Sequence, residues 1–285
     1  MNTQSGTPNP SGWKAVPEES ADGVVTYKLA SWSSFFDFLE AEIFHASIKS
    51  KRTYIWRGQR RSDWTISSSL DRVFERLHLL TPDQEVLEGR SLEHLQSFKY
   101  AARGRRGSNP AQLLLENDWW ALGQHFGLAT PLLDWTRSPF AAAYFAFEET
   151  GPGQTDYRVV YGLDQFAVKQ KNHQLIEEKG NEYEEKGQRV PIIDFIDPMS
   201  DENQRLVSQS GLFTRAPVGR PIEEWVEWAF EGSSAPVLLR IKVPDADRLN
   251  CLRTLNRMNI NHLSLFPDPG ASRSTNLKLE LDPQD

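Results

Sequence analysis

Apolar and polar positions along the chain resolve into short segments of two periods. Val24 to Ser31 (VVTYKLAS) is rich enough in β-branched and aromatic residues to predict a strand. In the FFDFLEAEIFHAS stretch that follows, Phe35, Phe38, Leu39 and Ile43 fall on one helical face, with Ser33 or Ser34 placed to cap it. Tyr54, Ile55 and Trp56 predict a second strand, which ends where Arg57 meets Gly58. Helical spacing runs from Pro82 to Tyr100 and again from Ala111 to Gly127, with Gly127 positioned to end the second helix. Ser138 and Pro139 open a further helix, Ser as cap and Pro in the first turn. That helix carries Ala141, Ala142, Ala143 and Ala146 on one side and Phe140, Tyr144 and Phe147 on the other, so it is expected to be buried close against a sheet. Thr130, Asp134, Trp135 and Thr136 read as the link into it.

The second half continues the alternation. Tyr157 to Leu163 predicts a strand, and the charged, Gly-interrupted stretch near 169–190 an exposed helix or loop inserted in the fold. Asn203 to Pro217 reads as a turn or short helix entering a strand at Leu212 to Thr214. IEEWVEWAF is an amphipathic helix, and PVLLRIKVP a strand between prolines. DADRLNCLRTLNRMN is a helix with Asp245 near its cap, and INHLSLFPDPG closes the chain's pattern. Strands and helices mix irregularly and no repeat or linker divides them. The expectation is one α+β domain over residues 23–285, with a central mixed or antiparallel sheet flanked by helices. Residues 1–22, polar and Pro/Gly-rich at the start, are expected to form a flexible leader.

Composition narrows the chemistry. Aromatics make up 11% of the 285 residues, nine of them tryptophan, which means an aromatic core or a stacking site. A net charge of −7 removes the global footprint of a nucleic-acid binder. Two local exceptions stand out: Lys99, Arg103, Arg105 and Arg106 in one cluster, and Arg57, Arg60 and Arg61 in another. Such patches suit a phosphate-bearing ligand better than non-specific duplex binding, the alternative being solvated loops. The single cysteine, Cys251, excludes an internal disulfide, and its apolar helical setting reads as packing. No apolar run approaches a membrane span and no signal-peptide core is present, so the protein is expected in the cytoplasm, without a membrane partner. Oligomeric state is not readable from the sequence.

There is no P-loop, no dinucleotide-binding glycine motif after a strand, no H-E-x-x-H and no G-x-S-x-G. The six histidines (His45, His78, His94, His125, His173 and His262) show no metal spacing, and no metal is expected. What remains is a set of polar groups in aromatic surroundings: Arg57, Gln124 and His125 at a helix end, Thr130, Asp134, Trp135 and Thr136, and Gln209 before GLFT. Each also has a plain structural role available, Arg57 as an ion-pair partner of Asp134 and His125 as a donor to a helix-end carbonyl.

Three stretches of the chain resemble the FRG domain family: WRGQRRSDWTISSSLDR, LGQHFGLATPLLDWTRSPFAAAYFA and NQRLVSQSGLFT, with a weaker tail at NINHLSLFPD. The one small departure is Ala129, where the family more often has proline. A more distant similarity is to mono-ADP-ribosyltransferases, in which an Arg-Gly strand, a Ser/Thr strand and a glutamate strand follow in order. WRG, DWTRSPFAAAYFA and SQSGLFT follow in that order here, so Arg57 matches the arginine, Thr136 lies near the Ser/Thr position and Gln209 near the glutamate. Glutamine is neither a base nor a charge.

The second resemblance implies an ADP-ribosyltransferase-like fold and an enzyme that cleaves NAD. It would pass ADP-ribose to a macromolecular acceptor, nucleic acid or protein, or to water, an activity that fits a toxin or anti-phage effector. Arg57 would grip the pyrophosphate, which a guanidinium does bidentately without losing its proton. Gly58 would let the ligand approach the backbone, and Trp56, Trp135 or Phe126 would stack on a ring. Gln59 and Thr130 complete the implied cofactor set. Asp134 would stabilise positive charge at the ribose carbon, His125 would accept a proton, and the Lys99 to Arg106 cluster would recruit the acceptor. Two other readings stay open: a non-enzymatic module binding a nucleotide or phosphorylated partner, and a nucleic-acid hydrolase using Asp134 and His125.

Overall fold

The computed structural model describes residues 12–45, 52–107, 110, 112–149, 155–197, 208–266 and 281. Eight strands form one sheet: β1 (Trp13–Ala15), β2 (Val24–Leu29), β3 (Tyr54–Gln59), β4 (Leu132–Thr136), β5 (Tyr157–Asp164), β6 (Asp194–Ile196), β7 (Gly211–Arg215) and β8 (Leu238–Pro244). Their order is β1-β2-β8-β5-β3-β4-β7-β6. Every neighbouring pair is antiparallel except β2 and β8, so the sheet is mixed and the expected α+β architecture with flanking helices is present.

Helices α1 (Ser33–Phe38), α5 (Pro139–Phe147) and α8 (Arg248–Arg257) cover one face, where Trp56, Val160, Leu239, Ile241 and Val243 project. Helices α6 (Gln165–Glu185) and α7 (Ile222–Ala229) cover the other, over Ile55, Val159, Tyr161 and Leu163. The alternation of Ile55 and Trp56 between the two cores is the period-two side-chain geometry of a strand. A third layer of α2 (Ser69–Arg76), α3 (Gln84–Ala101) and α4 (Glu116–His125) packs at the far end, against Leu132 and Phe213. Short α9 (His262–Leu265) follows α8.

Helix α5 starts as its sequence dictates. The Ser138 Oγ accepts from the Ala141 N–H at 3.2 Å and Pro139 opens the first turn. Seven of its nine residues are buried, each large side chain contributing about 1.5–3 kcal/mol. Gly58 is the reason it can lie so close. A Cβ on that glycine would sit 1.9 Å from the Ala142 carbonyl oxygen, so the missing side chain admits helix backbone on that side.

Several expectations need correcting. Residues 13–15, assigned to a leader, form β1 and pair with β2, because Trp13 packs edge-on to Phe38 at 5.8 Å. Neither Ser33 nor Ser34 caps α1, whose N-cap is Trp32, and the helix passes into a π-helical turn over Leu39–Phe44. The second strand does not stop at Trp56 but carries Arg57, Gly58 and Gln59 within it. Leu132–Thr136 is a strand and not a link, since LLDWT is held between β3 and β7. The supposed insertion is α6, fixed to the core by Val168 and Leu175 and by the buried Asn172, which exchanges hydrogen bonds with the Ile193 backbone at 2.7 and 3.3 Å. Residues 1–11, 203–207 and 267–270 of the predicted segments lie outside the described residues. Cys251 is buried in the first core, and burial pushes its thiol pKa well up.

Candidate functional site

The sheet opens between β3 and β4. These strands are five and six residues long, yet they are in ladder register at one pair, Trp56 with Thr136. Beyond that pair the Arg57 side chain takes over, its Nη1 donating to the Asp134 carbonyl at 2.7 Å. The opening is a cleft of about 350 Å³, at the lower end of ligand-sized cavities. Arg57, Asp134, Thr136, Gln209 and His125 all line it, together with edges of Trp56, Gly58 and Trp135. Segments remote in sequence therefore converge at one place.

Arg57 is partly buried overall, and its Nε is buried with no hydrogen-bond partner among the described residues. Burial pushes its pKa down from the ordinary value while the Asp134 charge pulls the other way. A guanidinium under such a shift stays protonated, so the cleft keeps a fixed cation. Arg57 forms no ion pair with the Asp134 carboxylate; the contact is to the backbone of Asp134.

The Asp134 carboxylate is exposed and points along another route. It accepts from Gln124 Nε2 at 2.8 Å, and Gln124 Oε1 in turn accepts from the buried Thr130 hydroxyl. The Thr130–Gln124–Asp134 chain fixes the carboxylate's orientation without neutralising it. Thr130 itself does not line the cleft; its hydroxyl also accepts from the Leu132 N–H at 3.3 Å.

Thr136 Oγ1 donates to the Gln209 carbonyl at 2.7 Å and accepts from the Ser138 N–H at 3.1 Å. Its one proton is therefore committed to tying β4 to the segment before β7. Gln209 Nε2 donates to the Leu265 carbonyl at 3.2 Å, which holds α9 at the rim. His125 is exposed at the end of α4, its ring edge-on to Phe126 at 5.1 Å, with no hydrogen bond to the described residues. It does not cap its helix.

The stacking assignments are only partly met. Trp56 and Trp135 are each 3% exposed, so neither offers an open ring face. Trp56 lies against Gly162 and Tyr54, and the Trp135 indole N–H donates to Thr214 Oγ1 at 2.8 Å. Phe126 is exposed but outside the cleft lining. Gln59 is buried, donates to the Thr65 carbonyl at 3.2 Å and does not reach the cleft. Lys99, Arg103, Arg105 and Arg106 do not line it either.

Sequence reasoning missed the aromatic wall. Phe145 of α5 and Phe266 after α9 stand edge-to-face at 6.0 Å and both line the cleft, as does Phe213 of β7. The only early signal was Phe145 itself, an aromatic interrupting the alanines of α5. Among the described residues no cluster of three or more His, Cys, Asp or Glu is placed to hold a metal ion, and no helix is long and apolar enough to cross a membrane.

The molecule is thus an α+β protein with a polar, aromatic-walled cleft at a split in its one sheet. Residues 52–155 match the family model of the FRG domain. The match spans β3, α2, α3, α4, β4 and α5, and so contributes Arg57, His125, Asp134 and Thr136, while Gln209, Phe213 and Phe266 come from beyond it. No curated protein and no solved structure matches the chain.

Proposed function

We propose that the protein is an ADP-ribosyltransferase-like enzyme whose cleft binds NAD and breaks its nicotinamide–ribose bond. The observation that carries this reading is the convergence of Arg57, Thr136 and Gln209 from strands β3 and β4 and the approach to β7, which lie side by side in that order. Two neighbouring groups supply the chemistry. Heterolysis leaves the bonding electron pair on neutral nicotinamide and builds positive charge at the ribose carbon. Asp134 is the only carboxylate in the lining among the described residues and is held in place by Gln124, so it is the group to stabilise that charge. The Arg57 guanidinium, in the cleft lining, holds the diphosphate. The Phe145–Phe266 wall receives the planar ring. An oxygen or nitrogen nucleophile then attacks the ribose carbon and gives its proton to His125, or to solvent. Water as nucleophile gives NAD hydrolysis; a macromolecule gives transfer.

The test is chromatographic detection of nicotinamide from NAD, with and without an extract of nucleic acid and protein. Arg57→Ala is expected to lower release by about 100-fold, and Arg57→Lys, which keeps the charge but not the fork, by a smaller factor. Absence of release from the wild-type chain under every acceptor condition would sink the proposal. A second reading has one observation in its favour: the Gln209 amide, which stands near the family's glutamate position, is engaged with α9. An NAD-dependent rise in melting temperature without turnover would select that reading, a binding module.

A further inference from the structure

From His94 to Leu115 the chain has no acidic residue, though its net charge is −7. Lys99, Arg103, Arg105 and Arg106 fall in this stretch, at the end of α3 and just after it. The fold interleaves them with rings. Lys99 Nζ lies 5.6 Å from the Trp119 ring centroid, Arg106 5.1 Å from the same ring, and Arg103 4.9 Å from Tyr100. Lys99, Arg103 and Arg105 form no ion pair with the described residues. The nearest helix start does not neutralise them: the Asp118 carboxylate accepts the Leu115 N–H at 3.2 Å, and Glu116 is paired with Arg215.

Large apolar side chains are exposed within the basic stretch and on the segments flanking α4. Tyr100 is 71% exposed, Leu114 77% and Phe126 70%. Trp119 belongs to α4, whose other end carries Gln124 and His125 to the cleft. Six residues of helix separate Trp119 from His125, about 9 Å of rise.

We propose that this basic, aromatic face holds single-stranded nucleic acid and, resting on the transferase reading above, presents it to the cleft as the ADP-ribose acceptor. The exposed Tyr100 ring stacks on a splayed base, cations follow the backbone, and an interval of about 9 Å fits within the 4–16 nucleotides that a single-strand platform covers. Duplex does not suit the surface. Its stacked bases offer the rings no face, and four cations on an acidic body supply little of the field that duplex binding needs. In the transfer step an amino or hydroxyl group of the strand displaces nicotinamide at the ribose carbon. The new bond forms at the ribose carbon that nicotinamide has left with the bonding electron pair, and the nucleophile's proton passes to His125 or water.

The test is fluorescence anisotropy with labelled single-stranded RNA and DNA of about 12 nucleotides, and with the matching duplex, over a salt series. Three backbone contacts, from Lys99, Arg103 and Arg105, predict a log–log salt slope near 2 for the single strands, about 0.7 per contact. Arg103→Ala/Arg105→Ala/Arg106→Ala is expected to weaken binding at least tenfold and cut the slope to near 1. Tyr100→Ala is expected to weaken it about fivefold or more with the slope unchanged. The RNA and DNA arms distinguish which strand is preferred; tighter duplex binding, equal binding of polyglutamate, or indifference to Tyr100→Ala would overturn the proposal. Acceptor-free NAD hydrolysis, measured on the same variants, is expected to be unaffected. Hydrolysis without strand binding defeats this inference alone, whereas strand binding without nicotinamide release defeats the reading of the cleft.

Discussion

Arg57 and Asp134 are neighbours that avoid the obvious bond. The guanidinium spends Nη1 on the Asp134 backbone carbonyl, and the carboxylate turns instead to Gln124. A direct ion pair would have cancelled both charges; this arrangement leaves a cation and an anion facing the same cleft. The buried Arg57 Nε–H, without a partner among the described residues, costs about 1–3 kcal/mol. The carboxylate can be tested without disturbing its surroundings. Asp134→Asn keeps an oxygen for Gln124 and leaves the backbone carbonyl for Arg57. Nicotinamide release is expected to fall 100- to 1,000-fold, the order seen when one preorganised charge or donor is removed, with the melting temperature unchanged. Retention of wild-type turnover in this variant would show that Asp134 is a scaffold group and not the stabilising charge.

Between elements, the decisive contact is α5 on β3. Gly58→Ala would place a methyl on the Ala142 carbonyl and within 2.6 Å of the Ala146 nitrogen, both rigid backbone. The variant is expected to lose about 3 kcal/mol as the helix is forced off the strand, seen as a lowered midpoint in urea. A loss under about 1 kcal/mol would mean that α5 shifts freely and that the cleft floor is soft. Helix α5 was legible in advance because its signals are local: Ser138, Pro139 and a small face at helical spacing. Its partner strand was not. LLDWT has apolar residues on both sides of Asp134, since Leu132 meets one core and Leu133 another, so the alternation that marks a half-buried strand is missing. Gly58 was noticed for its missing side chain; the backbone of α5 fills the space where a Cβ would stand, while Gly58 also lines the cleft. A glycine's need for space is visible in sequence, but whether helix or ligand fills it depends on contacts 84 residues away, between Gly58 and Ala142. The convergence of Arg57, Asp134, Thr136 and Gln209 was anticipated through resemblance to known families. The Phe145–Phe266 wall was not, because the relation between these rings exists only after α9 docks.

On the scale of the whole molecule, the cleft's outer wall depends on how the α2–α4 layer is fastened to the sheet. Arg215, at the end of β7 and 5% exposed, reaches two helices: Nη1 donates to Glu116 of α4 at 2.6 Å, and Nη2 to Glu88 of α3 at 3.2 Å. Burial alone would raise the Glu116 pKa. The Arg215 hydrogen bond and charge, with Arg189 and the Trp120 indole N–H adding, bring it net below its ordinary value of 4.5. A carboxyl whose folded pKa lies below its unfolded one binds fewer protons in the folded state. Its contribution is therefore complete above the unfolded pKa and is lost as pH falls from there through the folded value. Glu116→Gln removes the titration but keeps an acceptor for Arg215. At neutral pH it is expected to be less stable than wild type by about 1 kcal/mol, and the gap should close as pH drops below the ordinary glutamate range. Urea titrations of both chains across that range decide it: a gap that stays constant would mean that Glu116 is not the group linking acid to the wall. Because α4 also carries Gln124, His125 and Trp119, loosening this fastening should release the Asp134 carboxylate and the basic face together, so activity and strand binding are expected to decline over the same acid interval.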